Sequence, residues 1–150
     1  MQSINSEEYN TIDINTCDSI SMAIPSKPEY VGVVRLTVSA IANRMGFNIE
    51  EIEDIKVAVA EACTNAIKHS LNQDFRVNFD IFEDKMAICI KDEGKGYKMD
   101  ELNEPDLTNP REEGGLGIFI IKSLMDEVHL TSNVGLGTEI KMIKFLGEGN

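Results

Sequence analysis

The feature that most constrains the fold is a long amphipathic segment, Ile49–His69. Its apolar residues recur with helical spacing and share one broad face: Ile52, Ile55, Val59, Ala62, Cys63, Ala66 and Ile67. Asn48, which precedes the segment, is a good N-cap, and acidic residues follow where they favour the positive end of the helix dipole. We therefore predict a helix over these residues, and a helix with one such face needs a second layer to cover it.

The second layer is indicated by segments in which apolar and polar residues alternate, a pattern typical of half-buried strands. The alternating segments are residues 18–24, 75–82, 86–92, 127–132 and 138–145. A further helix is predicted over residues 28–45, with Gly46 as its stop. This order of elements predicts an α+β fold, namely a two-layer α/β sandwich in which a mixed, mostly antiparallel sheet carries its helices on one face.

Length and charge narrow the classes of function. The 150 residues fit one domain, and we expect a flexible N-terminal segment over residues 1–15 and a single domain over residues 16–150. The 14 Lys and Arg against 26 Asp and Glu give a net charge of −12, which disfavours binding to nucleic acids and to anionic membranes. Three cysteines without a CxxC pair, two histidines and no apolar run long enough to cross a bilayer argue against a disulfide framework, a zinc site and a membrane protein, so we expect a cytoplasmic location.

Glu61 and Asn65 lie one helical turn apart on the same face of the long helix. A carboxylate there could act as a general base. An amide oxygen suits Mg²⁺, which binds few protein groups and keeps phosphate oxygens and waters as ligands. The alternative is that both residues are simply polar positions on the solvent-facing side of an amphipathic helix, and the spacing alone favours this alternative.

Asp92 stands at the end of an apolar strand, with Gly94 and Gly96 just after it. A carboxylate at this place could accept a hydrogen bond from the exocyclic amine of adenine, and glycines would let a flat base contact the backbone. The alternative is an ordinary turn of Asp and Gly that leaves a strand.

Two later glycine segments complete the set of candidate motifs. Gly115 and Gly117 open an apolar helix, where they could expose backbone N–H groups to an anion, or could form a hinge with a helix cap. Gly137 and Thr138 open the last strand, and the Thr138 hydroxyl would lie beside Asp92 if the two strand ends were neighbours. The alternative is a plain hairpin turn. A P-loop and a dinucleotide fingerprint are both absent from the sequence.

Taken together and in this order, the motifs resemble those of the GHKL superfamily of ATP-binding domains, which includes gyrase, histidine kinases and MutL. The resemblance covers about residues 19–145 and implies the Bergerat fold. A stand-alone domain of this length is similar to the anti-sigma factor serine-protein kinases of the RsbW and SpoIIAB type. Two runs carry that closer resemblance: VAEACTNAIKH at residues 59–69 and LMDEV at residues 124–128.

The resemblance implies an activity, cofactors and partners. It implies a homodimer that uses ATP and Mg²⁺, sequesters a sigma factor of RNA polymerase and phosphorylates a serine of an anti-anti-sigma (STAS) protein. It also implies residue roles: Glu61 as catalytic base, Asn65 as Mg²⁺ ligand, Asp92 and Thr138 as adenine contacts, Gly94 and Gly96 as room for the nucleotide, Gly115 and Gly117 as phosphate contacts, Lys68 as a further ATP contact, and Arg35 as a partner contact.

The acidic segment between Tyr97 and Glu113 departs from the family pattern. The lid of these kinases often carries a basic residue close before the second glycine pair, whereas Glu112 and Glu113 stand there in this sequence. Arg111, slightly upstream, is the candidate for a contact with the γ-phosphate. Three alternatives therefore stay open: a nucleotide-gated sigma-binding module without effective kinase activity, a switch kinase that acts on a scaffold protein, and a plain α/β interaction protein without a ligand.

Overall fold

The structure is a computed structural model that describes residues 18–70, 73–94 and 115–147. The predicted flexible segment 1–15, Gly96, Arg111 and most of the acidic lid lie outside the described residues. The elements are β1 (Asp18–Ile24), a 3₁₀ turn (Pro28–Tyr30), α1 (Val31–Met45), α2 (Ile49–His69), β2 (Phe75–Ile81), β3 (Lys85–Asp92), α3 (Gly115–Leu124), β4 (Glu127–Asn133) and β5 (Gly137–Phe145).

The two predicted helices begin and end close to where the sequence places them. At the start of α2, Asn48 accepts a hydrogen bond from the Glu51 N–H at 2.8 Å, and its own N–H donates to Glu51 Oε1 at 2.9 Å. This capping box satisfies two backbone donors at once. α1 ends at Gly46, whose φ of 100° is left-handed. Its predicted first turn is a 3₁₀ turn, because Pro28 there lacks an N–H.

The strands form one sheet in the order β1-β2-β3-β5-β4. Within the described residues every strand pair is antiparallel, so the predicted two-layer α+β fold is confirmed, without the parallel pairs that a mixed sheet would contain. The order places β5 between β3 and β4, so that the end of β3 lies beside the start of β5. As a result Asp92 stands directly opposite Thr138.

The core lies between the helices and one face of the sheet. Side chains of a strand alternate between faces, and the helix-facing positions include fully buried Phe79, Ile88 and Met142, which pack with Ile55 and Ile121 of the helices. Within the described residues no helix has both the length and the apolar character that crossing a membrane requires.

Candidate functional site

The helix-facing side of the sheet ends in a buried polar row. The row consists of Asp92, Thr138 and Ser132, which are cross-strand neighbours on β3, β5 and β4. They are only 3%, 4% and 4% exposed. The row before it, on the same strands, is apolar: Ile90, Ile140 and Leu130. Because burying polar side chains is costly unless they have hydrogen-bonding partners, this row indicates binding of a polar ligand.

The Asp92 carboxylate is held by the turn that follows β3. Its Oδ1 accepts a hydrogen bond from the Gly94 N–H at 2.9 Å. Burial raises the pKa of Asp92 above its ordinary value, and the raise is moderated by the Gly94 hydrogen bond, by the charge of His69 and by a backbone hydrogen bond at Thr138. A buried carboxylate that is fixed in this way is suited to accept an N–H group of a ligand.

Two glycines bring backbone segments into direct contact around Asp92. A side chain at Gly94 would overlap the carbonyl group of His69, the last residue of α2. A side chain at Gly137, whose φ is 93°, would overlap the backbone of Asp92. Gly94 therefore has a packing reason that sequence analysis did not supply: it lets the end of β3 lie against the C-terminus of α2.

Glu61 and Asn65 face the start of α3. A Cβ atom on Gly117 would lie 3.2 Å from Glu61 Oε2, so the Glu61 carboxylate lies against the first turn of α3. Asn65, one turn further along α2, is 9% exposed and counts as buried. The alternative interpretation of a solvent-facing position is therefore wrong for Asn65, because α3 covers this side of α2.

The first turn of α3 is an anion-binding element by its chemistry. Gly115 and Gly117 lie in this turn, where backbone N–H groups have no partner inside the helix and the helix dipole is positive. The half-buried Glu61 carboxylate lies beside the turn. An anion bound there would be placed between these N–H groups and the polar face of α2.

α2 connects the polar row to this anion-binding turn. Glu61, Asn65 and His69 follow one another at four-residue spacing, so they lie along one side of the helix over about 12 Å. His69 contacts the loop after Asp92, and Glu61 contacts the start of α3. The two ends therefore suit a long ligand with a hydrogen-bonding base at one end and negative charge at the other.

The remaining predicted site residues are not brought into this line. Lys68 is exposed on α2, and Arg35 is exposed on α1. Gly96 and Arg111 lie outside the described residues.

Ser132 is a member of the site that sequence analysis missed. Its hydroxyl oxygen lies 2.8 Å from Thr138 Oγ1. The period of two along β4 places it on the same face as Val128 and Leu130, and this alternation is the signal that could have found it. A serine at a strand end before a glycine-containing turn is more simply interpreted as a turn residue.

The donor set fits Mg²⁺ only together with a ligand. In the part of the chain that the structure describes, no group of three or more His, Cys, Asp or Glu side chains could hold a metal ion. Mg²⁺ needs few protein groups when phosphate oxygens and waters complete its octahedron. The buried Asn65 amide oxygen on the line between the polar row and the first turn of α3 is such a group.

Comparison with known proteins gives consistent relatives. Residues 24–144 match the histidine kinase-like ATPase domain family. The chain is 40% identical to the serine-protein kinase RsbW of Bacillus subtilis, over 88% of this chain and 88% of that protein. It is 44% identical to the serine-protein kinase RsbW of Oceanobacillus iheyensis, over 87% of this chain and 89% of that protein.

Two solved structures share the fold. The crystal structure of the RsbU and RsbW domains of a Mycobacterium tuberculosis protein matches with a TM-score of 0.63 and 16% identity, over 86% of this chain and 33% of that chain. The histidine kinase domain of a blue-light activated kinase from Erythrobacter litoralis matches with a TM-score of 0.52 and 21% identity, over 92% of this chain and 69% of that chain.

Proposed function

The chain belongs to the histidine kinase-like ATPase domain family and, within it, to the RsbW serine-protein kinases, and from this membership we propose that it is an ATP-dependent protein-serine kinase that also acts as an anti-sigma factor. It transfers the γ-phosphoryl group of ATP to a serine of an anti-anti-sigma partner of the STAS type, and it sequesters a sigma factor of RNA polymerase.

The observation that carries the proposal is the line of polar groups along α2. At one end, the Asp92 carboxylate accepts the exocyclic amine of adenine, and the Thr138 hydroxyl contacts the ring. At the other end, the N–H groups at Gly115 and Gly117 receive the phosphates. The intervening length of about 12 Å along the helix is of the size of a nucleotide from its base to its terminal phosphate.

The chemistry needs positioning and charge neutralisation more than covalent assistance. Asn65 would hold Mg²⁺, which when bound neutralises phosphate charge. Glu61 orients the acceptor serine hydroxyl and takes its proton. A bond forms between the serine oxygen and the γ-phosphorus while the bond from that phosphorus to the β–γ bridging oxygen breaks, and ADP leaves. Gly96, Lys68 and Arg111 are proposed as further ATP contacts.

The exposed side of α1 is the proposed contact surface for protein partners. Arg35 stands there between two apolar side chains, Val33 and Leu36, which are 45% and 75% exposed. A cation flanked by exposed apolar groups favours binding of a protein over solvent contact alone. The proposal further includes a homodimer and a cytoplasmic location, where sigma factors act.

The test is incubation with Mg-ATP and the STAS partner, followed by intact-mass measurement. We expect the wild-type chain to add one phosphate to the partner. The Glu61→Gln variant should bind ATP but transfer no phosphate, since an amide takes up no proton. Glu53→Gln, an exposed glutamate two turns away on the same helix that pairs with Lys56 at 2.9 Å, is the matched control and should transfer at the wild-type rate.

A second candidate function is favoured by the acidic lid residues Glu112 and Glu113. If the wild-type chain binds ATP and a sigma factor but leaves the partner unphosphorylated after prolonged incubation, the chain is a nucleotide-gated binding module and the kinase proposal is refuted. If sigma factors are absent from material captured with the chain and a scaffold protein gains the phosphate instead, the chain is a switch kinase.

A further inference from the structure

The polar row contains one hydroxyl that the proposed chemistry does not use, that of Ser132. Its Oγ lies 2.8 Å from Thr138 Oγ1, and it lies 3.3 Å from the carbonyl oxygen of Gly137. Both hydroxyl groups are on the helix-facing side of the sheet and are 4% exposed. Hydroxyl groups at this depth act on each other in a low-dielectric surrounding, where hydrogen bonds are strong.

The two distances rank the possible hydrogen bonds of Ser132. A separation of 2.8 Å is the usual length of an O–H···O bond, whereas 3.3 Å is long for one. A hydroxyl has one hydrogen to donate and two lone pairs to accept with. When Ser132 donates to Thr138 across the shorter distance, Thr138 keeps its own hydrogen and can donate it to a ligand.

The row then presents two groups of opposite character to a ligand. Asp92, directly opposite Thr138 in the register of β3 and β5, is an acceptor because its carboxylate is fixed by the Gly94 N–H. Thr138 is a donor. Adenine carries an amine donor beside ring-nitrogen acceptors, whereas hypoxanthine and guanine carry a carbonyl acceptor in place of that amine.

We propose that Ser132 is a positioning residue that fixes the direction of the Thr138 hydroxyl and thereby makes the site selective for adenine over 6-oxopurines. Ser132 touches neither the base nor the phosphates and acts through Thr138. This inference rests on the proposed binding of ATP at the same site.

The experiment compares the affinities of Mg-ATP and Mg-ITP for the full chain by calorimetry. ITP differs from ATP in carrying hypoxanthine. Ser132→Ala should weaken ATP binding about fivefold, the effect of one hydrogen bond, and should leave ITP binding nearly unchanged, so that the preference for ATP shrinks. In the kinase assay the KM for ATP should rise by a similar factor while kcat at saturating ATP stays the same.

Three further variants separate positioning from a structural role. Ser132→Thr keeps the hydroxyl and should restore most of the preference. Ser132→Cys keeps the size but is a weak donor, so it should behave like Ser132→Ala and replaces that variant if alanine impairs folding. Ser21→Ala removes a strand serine that is hydrogen-bonded to Asn78 on β2. It is the matched control and should leave both affinities unchanged.

A double-mutant cycle tests whether Ser132 acts through Thr138. If it does, Ser132→Ala should add nothing to the loss of preference already caused by Thr138→Ala.

Three results would overturn the inference. One is a Ser132→Ala chain with the wild-type preference for ATP. Another is an equal loss for ATP and ITP together with a lower melting temperature, which is what a purely structural serine predicts. The third is additive effects in the cycle. A wild-type chain that binds no ATP would refute the proposed function as well, whereas an unchanged preference in an ATP-binding chain refutes this inference alone.

Discussion

Replacement of Gly117 by alanine should separate the stability of this chain from its activity. Gly117 lies in the first turn of α3 with a helical backbone, and a Cβ atom there would meet Glu61 Oε2 at 3.2 Å. That atom is the far end of a flexible, half-buried side chain, so it can move by a few tenths of an ångström at little cost. Alanine favours helix over glycine by about 1 kcal/mol, and we therefore expect Gly117→Ala to raise the free energy of unfolding by about 0.5–1 kcal/mol.

The same small displacement acts on the proposed catalytic base. A misplacement of about 1 Å can lower a rate about 100-fold, so a shift of a few tenths of an ångström should lower kcat for phosphoryl transfer by roughly tenfold. Unfolding in urea and initial rates of partner phosphorylation at saturating ATP measure the two effects. A gain in stability together with a loss in rate is the expected outcome.

The chain offers a matched control in Gly32, which lies in the first turn of α1. A Cβ atom there meets nothing within 4 Å, so Gly32→Ala should bring a similar gain in stability and leave the rate unchanged. The reasoning fails if Gly117→Ala phosphorylates the partner at the wild-type rate. It also fails if that variant is less stable than the wild-type chain, since the contact with Glu61 would then be rigid.

Two further predictions concern the purine end of the site. Gly94→Ala should lower the free energy of unfolding by about 3 kcal/mol or more, because the added methyl group would overlap the backbone of His69 and neither segment can turn away; a melting temperature equal to that of the wild type would contradict this contact. ATP affinity should fall as the pH falls through the raised pKa of Asp92, since a protonated carboxyl no longer accepts the adenine amine. The sign for stability is opposite, because a folded-state pKa above the unfolded one stabilises the chain in acid and this contribution is lost as the pH rises. Asp92→Asn should therefore be at least as stable as the wild-type chain at pH 7, lose this advantage in acid and bind ATP at least tenfold more weakly, as followed by urea unfolding over a pH series and by calorimetry.

The parts of the fold that were predictable are those set by nearby residues. The bounds of α2 follow from a capping box within four residues and from regular apolar spacing. β1 follows from simple alternation over Asp18–Ile24. Both signals are contained in the segment itself, so no knowledge of its neighbours was needed.

The parts that were not predictable depend on contacts between distant segments. Period two along the chain does not state which strand pairs with which, so the adjacency of Asp92 and Thr138 was only a condition until the sheet order was known. Helical spacing placed Asn65 away from the apolar face, and only the docking of α3 explains its burial. The reason for Gly94 is an approach of two backbones, which leaves no pattern in the residues themselves.

Both ends of the proposed pocket are attached to one uninterrupted helix, and this has a consequence for how the chain can vary. Each helical residue adds a rotation of about 100° and a rise of about 1.5 Å. One residue inserted or deleted between Glu61 and His69 would turn the carboxylate away from α3 or the helix end away from the loop after β3. Length changes in this stretch should therefore abolish nucleotide binding, whereas substitutions at its exposed positions, such as Thr64, should be tolerated.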